Sequence, residues 1–238
     1  MPASELVVDI VIPARDEAGA LPLVLAAIPR AGEGWRVRRV VVVDNGSRDG
    51  TGEVARSGGA DVLSEPVAGY GRACLAGMAS LRSAPPSAVV FLDADHSDDP
   101  AELPLLLAPL VSGAAELVIG SRVLGARERG AFTPVQTLGN WVASRLLRLF
   151  WGVRATDLGP FRAVRWETLE ALRMRDRDFG WTAEMQARAA HLRLPLSEVP
   201  VSYRRRRHGR SKIAGTLTGS VRAGWKILAT LVRVRVGL

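Results

Sequence analysis

The strongest constraint on the fold is an alternation, in the first half of the chain, between short β-branched runs and segments of helical periodicity. Predicted strands cover residues 6–12, 38–43, 88–92 and 117–119, with helical segments between them. Because strands that alternate with helices favour parallel pairing, this pattern predicts an α/β protein with a mostly parallel sheet. The chain has 238 residues and no long polar stretch divides it, so we expect one domain over residues 1–238.

Polar or glycine-containing segments follow each of the four predicted strands. They read PARDE, DNGSRDG, DADHSDD and GSR, in chain order. The carboxyl ends of parallel strands meet at one edge of an open sheet, where such folds bind their ligands. The sequence therefore predicts one site, built from these four segments.

Two aspartates directly follow the third predicted strand. Asp93 and Asp95 are separated by one residue, so both carboxylates can project from the strand end toward one point. Mg²⁺ and Mn²⁺ prefer oxygen ligands and leave coordination positions open for a substrate diphosphate, so we expect one of these ions here. The next acidic pair, Asp98 and Asp99 before Pro100, is typical of a helix N-cap, and we assign it that role.

The charge is divided unevenly between the two halves of the chain. Residues 1–120 carry 9 Lys and Arg against 16 Asp and Glu, whereas residues 121–238 carry 23 against 8. An acidic first half suits a divalent cation, and a basic second half suits a phosphate-bearing substrate or an anionic lipid surface. The single cysteine, Cys74, excludes an internal disulfide and is typical of a buried apolar residue.

The second half contains predicted helices at 136–151 and 181–191 and a strand at 196–201, followed by a run of arginines. A last helix, near 215–236, combines apolar residues at helical spacing with arginines, which favours either a membrane surface or packing on the core. The N-terminus lacks the basic region of a signal peptide, and no apolar stretch is long enough to cross a bilayer. We therefore expect a cytoplasmic protein whose membrane contact, if any, is peripheral.

Three of these segments, in this order, resemble motifs of the family 2 glycosyltransferases. They are PARDE at 13–17, VDNGSRDGT at 43–51 and DAD at 93–95, and the likeness is greatest to the polyprenyl-phosphate sugar synthases, the group of dolichyl-phosphate mannose synthase. The resemblance implies the GT-A fold, a Rossmann-like three-layer sandwich. It also implies a division into a nucleotide-sugar and metal half at 1–120, an acceptor half at 121–212 and an amphipathic helix at 213–238.

The resemblance also implies roles for individual residues on the donor side. Asp93 and Asp95 would hold the metal, and Asp95 would thereby be catalytic; the nucleotide-sugar would contact Pro13, Arg15, Glu17, Asp44, Arg72 and Asp93. The chain departs from the family pattern at Asn45, where the family has aspartate, and at Tyr70, where a G-K-G turn has lysine. Arg72 is the candidate replacement for that lysine, and the glycines beside Tyr70 could equally serve a tight turn.

On the acceptor side the resemblance rests on TDLGPFR, on an acidic residue opening a helix and on an R-x-x-G-x-S-K signature. It implies catalytic roles for Asp157 and Glu184. Arginine binds phosphate through paired N–H groups, and the implied phosphate contacts are Arg162, Arg205, Arg207, Arg210, Ser211 and Lys212.

Together these features predict an inverting transfer of a hexose from a donor such as GDP-mannose or UDP-glucose to a polyprenyl phosphate or similar phosphate. A phosphate acceptor is already anionic and needs no general base, whereas a soluble hydroxyl acceptor would require one, and Glu184 is the candidate. A non-catalytic nucleic-acid-binding protein is the alternative of another class, less favoured because GRSK follows the arginines. A nucleotidyltransferase would need a glycine-rich, lysine-bearing loop where PARDE stands.

Overall fold

The computed structural model describes residues 5–206 and 217–237. Its elements, in chain order, are β1 Leu6–Ala14, α1 Leu21–Ala27, β2 Ala31–Gly32, β3 Trp35–Asp44, α2 Thr51–Ser57, β4 Asp61–Ser64, α3 Tyr70–Leu81, β5 Ala88–Phe91, a 3₁₀ turn Pro100–Glu102, α4 Leu103–Val111, β6 Leu117–Ser121, α5 Pro134–Trp151, β7 Arg162–Arg165, α6 Trp166–Ala171, α7 Trp181–His191, β8 Leu196–Pro200 and α8 Leu217–Arg235.

The strands form one mixed, mostly parallel sheet in the order β2-β3-β1-β5-β7-β6-β8, with β4 also paired to β3. β1 pairs in parallel with β3 and β5, so the carboxyl ends of these three strands lie side by side. The antiparallel strand β7 lies between β5 and β6. It was not predicted, because its four residues directly follow a turn-rich segment and carry no clear alternation.

Helices cover both faces of the sheet, because successive side chains of a strand point to opposite faces. In β1, Ile10 and Ile12 belong to a core cluster shared with α1 and α4, whereas Val11 belongs to a cluster shared with α3 and α7. This arrangement is the three-layer sandwich that the sequence predicts. The predicted strands and helices lie within two to three residues of those observed.

A third, smaller cluster joins α5, α7 and α8 beside the sheet. It contains Leu147 of α5, Ala183 of α7 and Leu231 of α8, all buried. Helix α5 begins at Pro134, two residues earlier than predicted, because Thr133 at the N-cap and Gln136 in the first turn form a reciprocal capping box. Within the described ranges, no helix is long and apolar enough to cross a membrane.

Candidate active site

The loops after β1 and β3 are tied together by side chains of the second loop. Ser47 Oγ accepts a hydrogen bond from the Asp16 N–H at 3.0 Å, and Thr51 Oγ1 accepts one from the Glu17 N–H at 2.9 Å. Asp49 accepts a further bond from the Ala18 N–H at 3.0 Å. The polar residues of DNGSRDGT thus satisfy the backbone of PARDE, which explains why the two segments occur together.

Asn45 has a structural role that an aspartate could not take over. Its side-chain N–H₂ group donates to the carbonyls of Glu65 at 2.9 Å and Val67 at 2.8 Å, and its oxygen accepts from the Gly69 N–H at 2.8 Å. An ionised carboxylate has no proton to donate to those two carbonyls. The departure from the family pattern at this position therefore closes the segment 65–69 over the sheet edge.

A cavity of about 340 Å³ lies over the ends of β1, β3 and β5, and we call it the strand-end cavity. Four predicted nucleotide contacts, Pro13, Arg15, Glu17 and Asp93, line it together with Asp95. The structure does not place Asp44 or Arg72 in its wall. One carboxylate oxygen of Asp44 instead accepts the Ser47 N–H at 2.9 Å within its own turn.

The aspartate pair in the wall of this cavity brings two carboxylates close together. The Tyr70 hydroxyl donates to Asp93 at 3.1 Å, and Arg206 joins Asp95 at 2.7 Å to Glu17 at 2.6 Å. Burial and the nearby charge of Asp95 raise the pKa of Asp93 to about 6. Two neighbouring carboxylates fit a divalent cation, which would neutralise both. Three-residue clusters of metal-binding type are absent from the described residues, so an ion held here would need substrate oxygens as additional ligands.

The N-cap prediction is correct for Asp99 and wrong for Asp98. Asp99 accepts the Ala101 N–H at 3.2 Å and caps the 3₁₀ turn that leads into α4. Asp98 is 1% exposed, and neither of its carboxylate oxygens has a hydrogen-bond partner in the structure. Burial and the charge of Asp93 raise its pKa well above the ordinary value. Asp98 is a buried acid beneath the site.

A second cavity, of about 250 Å³, lies between α5 and α8 and reaches the same aspartates; we call it the helix cavity. Its wall combines cationic, polar and apolar side chains: Arg122, Arg206, Gln136, Asn140, Thr182, Tyr203, Phe132, Val135, Leu158, Pro160, Phe179 and Ile227. A cavity whose wall combines arginines with apolar side chains suits an amphiphilic anion.

Arg122 lines the helix cavity and was not among the predicted site residues. Its guanidinium donates to both carboxylate oxygens of Asp157, at 2.7 and 2.8 Å, and lies against the rings of Phe132 and Tyr203. Arg122 directly follows β6, in the GSR segment. The position at a strand end that identified Asp93 and Asp95 as site residues could therefore have identified Arg122 as well.

Asp157 was predicted to be catalytic, and the structure gives it a supporting role instead. It is fully buried, and although burial raises its pKa, the charge and hydrogen bonds of Arg122 outweigh that effect and lower it. The carboxylate thus remains ionised and orients Arg122.

Arg162 was predicted to contact the acceptor phosphate, and this prediction is wrong because its side chain is buried. Arg162 is 0% exposed and donates to the carbonyls of Leu158, Gly159 and Thr182, beneath the cavity floor. Burial lowers its pKa to about 10. A guanidinium that binds its own backbone cannot at the same time bind a phosphate in the cavity.

Glu184, the candidate general base, is 3% exposed and is occupied by other contacts. Its carboxylate accepts the backbone N–H groups of Arg175 at 3.0 Å and Asp176 at 2.7 Å, and it pairs with Arg188 at 2.8 Å. These contacts hold the loop of residues 175–180 instead of presenting a base to the cavities.

Of the predicted phosphate contacts in the arginine run, only Arg205 lies within the described residues. It is exposed, and its backbone N–H donates to Glu128 at 2.7 Å. Arg207, Arg210, Ser211 and Lys212 lie outside the described residues. Arg206, which was not among the predicted contacts, is the one arginine of the described residues that lines both cavities.

Comparisons with known proteins agree with the fold and the motif order. A Mycobacterium tuberculosis protein named as an uncharacterized glycosyltransferase is 40% identical over 226 residues, covering 93% of this chain and 98% of that protein. The undecaprenyl-phosphate mannosyltransferase of Micrococcus luteus is 31% identical, with 96% of this chain and 98% of the relative covered. The polyprenol monophosphomannose synthase of Mycolicibacterium smegmatis is also 31% identical, over 95% of this chain and 89% of the relative.

Among solved structures, glucosyl-3-phosphoglycerate synthase from M. tuberculosis, in complex with Mn²⁺, UDP-glucose and phosphoglyceric acid, has a TM-score of 0.75. It is 24% identical and covers 97% of this chain and 80% of that one, which confirms the predicted GT-A fold. Residues 9–173 match the family described as Glycosyl transferase family 2. The alternative of a nucleic-acid-binding protein without catalysis was therefore wrong: the chain belongs to glycosyl transferase family 2, and it is a hexosyltransferase.

Proposed function

We propose that this glycosyltransferase moves a hexose from a nucleotide-sugar to a polyprenyl phosphate, with inversion at the anomeric carbon. The observation that carries the proposal is the meeting of two cavities at one pair of carboxylates. The strand-end cavity is lined by the loop after β1, and the helix cavity is lined by Arg122 together with apolar side chains of α5 and α8 such as Val135 and Ile227. The names of the two relatives that use prenyl phosphates support the same acceptor.

On the donor side, Asp93 and Asp95 would hold Mg²⁺ or Mn²⁺ together with the donor diphosphate. The bound ion supplies charge neutralisation for the departing nucleoside diphosphate. Pro13, Arg15 and Glu17 lie along the same wall, where the rest of the nucleotide would rest.

On the acceptor side, an anionic phosphate oxygen forms the new bond to the anomeric carbon while the bond to the diphosphate breaks. Such an oxygen carries no proton that must be removed, so no general base is required. Arg122 would bind the acceptor phosphate and reduce its repulsion from the donor phosphates. The occupied carboxylate of Glu184 also argues against the soluble hydroxyl acceptor, since that reaction depends on Glu184 as base.

A prenyl acceptor would reach the helix cavity from a membrane, and we propose that α5 and α8 rest on an anionic one. Their outer faces expose Trp141 at 55%, Leu149 at 75% and Trp225 at 73%. Arginines lie among these apolar residues, at positions Arg145, Arg148, Arg233 and Arg235. Apolar residues flanked by arginines suit the headgroup boundary of an anionic bilayer.

The experiment is a transfer assay with labelled GDP-mannose or UDP-glucose, Mn²⁺ and undecaprenyl phosphate. We expect labelled product in the organic phase, its loss in Asp95→Asn, and its retention in Asp99→Asn, which removes a nearby carboxylate that caps a turn. Product formed only with a water-soluble acceptor such as 3-phosphoglycerate would contradict the lipid acceptor and leave glycosyl transfer intact.

A further inference from the structure

The strand-end cavity and the helix cavity share a small set of wall residues. Among the described residues, those that line both are Tyr70, Asp93, Asp95, Phe179 and Arg206. A group that is transferred from a donor in one cavity to an acceptor in the other must lie where the two cavities meet. The five shared residues therefore surround the position of the transferred group.

We propose that Tyr70 and Phe179 form the subsite that recognises the transferred hexose, an inference that rests on the proposed function. Both rings are half-buried, so each presents part of its surface to the junction. A hexose offers C–H groups on its ring faces and hydroxyl groups around its edge. The aromatic rings can pack against the C–H groups, and the carboxylates beside the rings can accept hydrogen bonds from the hydroxyl groups.

The backbone brings Tyr70 and Phe179 together through two glycines. A Cβ atom at Gly69 would lie 2.3 Å from the Arg177 carbonyl oxygen, and one at Gly71 would lie 2.1 Å from that of Asp176. Only glycine therefore allows the start of α3 to approach the 175–180 loop this closely. The glycines of the GYG segment thus place Tyr70 directly against the loop that carries Phe179.

The loop itself is held at several points, so Phe179 is presented in a defined position. One carboxylate oxygen of Asp176 accepts the N–H groups of Asp178 at 2.8 Å and Gly180 at 3.1 Å. Glu184 holds the other end of the loop through two more backbone N–H groups. A subsite whose rings are ordered before the sugar arrives loses less conformational entropy on binding.

Tyr70 also contributes polarity without charge. Its hydroxyl donates to Asp93 at 3.1 Å, and a tyrosine hydroxyl that donates a hydrogen bond carries no charge. The lysine of the related G-K-G turn would place a cation at this junction instead. Tyrosine at position 70 is therefore suited to a sugar ring, whereas a lysine suits a phosphate.

The test is isothermal titration calorimetry of the full chain in Mn²⁺, with four probes: UDP, GDP, UDP-glucose and GDP-mannose. Phe179→Ala should lower the affinity for the nucleotide-sugar that the wild type binds by about tenfold. It should lower the affinity for the matching nucleoside diphosphate by less than about twofold. Tyr70→Leu should likewise lower the affinity for the nucleotide-sugar more than the affinity for the nucleoside diphosphate. Phe179→Tyr, which keeps an aromatic ring, should bind both ligands like the wild type. Phe150→Ala removes a half-buried ring that lines neither cavity and serves as the control.

Two outcomes would overturn the inference in different ways. Equal losses for nucleotide-sugar and nucleoside diphosphate, or no loss in either aromatic variant, would mean that the sugar does not contact these rings while the proposed function stands. If the wild type binds neither UDP nor GDP in Mn²⁺, the proposed function fails, and the sugar subsite fails with it.

Discussion

At the scale of single residues, Arg206 pairs with Asp95, a carboxylate that the proposed metal ion would also bind. It bridges Glu17 and Asp95 across the strand-end cavity, and the N–H of Arg204 donates to the Ser97 carbonyl at 2.8 Å, which holds this segment over the aspartates. A guanidinium and a divalent cation would therefore compete for the same carboxylate. Metal binding and the position of residues 204–206 should be linked.

Arg206→Ala should consequently raise the affinity of the nucleotide-free protein for Mn²⁺ by about tenfold, because a cation near the ion is removed. Free Mn²⁺ is measured directly by electron paramagnetic resonance, with no turnover required. Arg205→Ala is the matched control, since it removes the same charge from an exposed neighbour. A lower Mn²⁺ affinity in Arg206→Ala would contradict the competition.

Asp98 gives a pH prediction, because its raised pKa means that the folded chain keeps a proton that the unfolded chain loses. Below the ordinary pKa of 3.8 the carboxyl is protonated in both states, so its contribution to stability is complete there and declines as pH rises. Asp98→Asn does not titrate. The melting temperature of Asp98→Asn minus that of the wild type should therefore be greater at pH 8 than at pH 4.5, by at least about 2–4 °C.

Differential scanning fluorimetry in EDTA measures this difference without interference from bound metal. Asp99→Asn is the natural comparison, because Asp99 caps a turn and has hydrogen-bond partners. A pH-independent difference for Asp98→Asn would indicate that Asp98 is ionised in the folded protein.

At the scale of elements, Glu184 connects the first turn of α7 to the 175–180 loop. Glu184→Gln should weaken this connection and lower the melting temperature by about 4–8 °C, since hydrogen bonds to a buried carboxylate are lost. The pH profile of kcat should keep its shape, whereas the loss of a general base would remove one of its limbs. Glu167→Gln, which removes an exposed carboxylate from the first turn of α6, should change neither quantity.

Helices α5 and α8 can be tested together as a membrane-binding surface. The double variant Trp141→Ser, Trp225→Ser should reduce binding to phosphatidylglycerol vesicles by about tenfold or more, because two large apolar surfaces are removed. Sedimentation with vesicles measures it, and phosphatidylcholine vesicles provide the uncharged comparison. Leu105→Ser, an exposed apolar residue of α4, is the control, and equal losses in both variants would argue against a defined surface.

At the scale of the whole molecule, the nucleotide and the metal should stabilise the fold only in combination. With Mn²⁺ and saturating GDP or UDP, we expect the melting temperature to rise by about 5–10 °C, because a ligand that binds only the folded state shifts the equilibrium toward it. EDTA should abolish the rise, and so should Asp95→Asn. A nucleotide-dependent rise that survives EDTA would show that the metal is not needed to hold the nucleotide.

The sequence by itself determined the alternation of strands and helices in the first half of the chain, the sheet edge that carries the polar loops, and the position of Asp93 and Asp95 at a strand end. These features follow from local periodicity and from the direction of parallel strands, both of which are encoded over short ranges. The motifs and their order were also sufficient to predict the family.

The tertiary structure alone decided which charged side chains face the cavities. Arg122 and Arg162 are equally basic in the sequence, yet one lines a cavity while the other binds its own backbone in the core. Asp157 is likewise occupied by a partner that its local sequence does not indicate, and Glu184 is held by backbone N–H groups from outside its helix. Burial and pairing depend on residues far apart in the chain, such as Arg122 and Asp157, 35 positions apart. The energy of each charge is set by those neighbours, and they come together only when the chain folds.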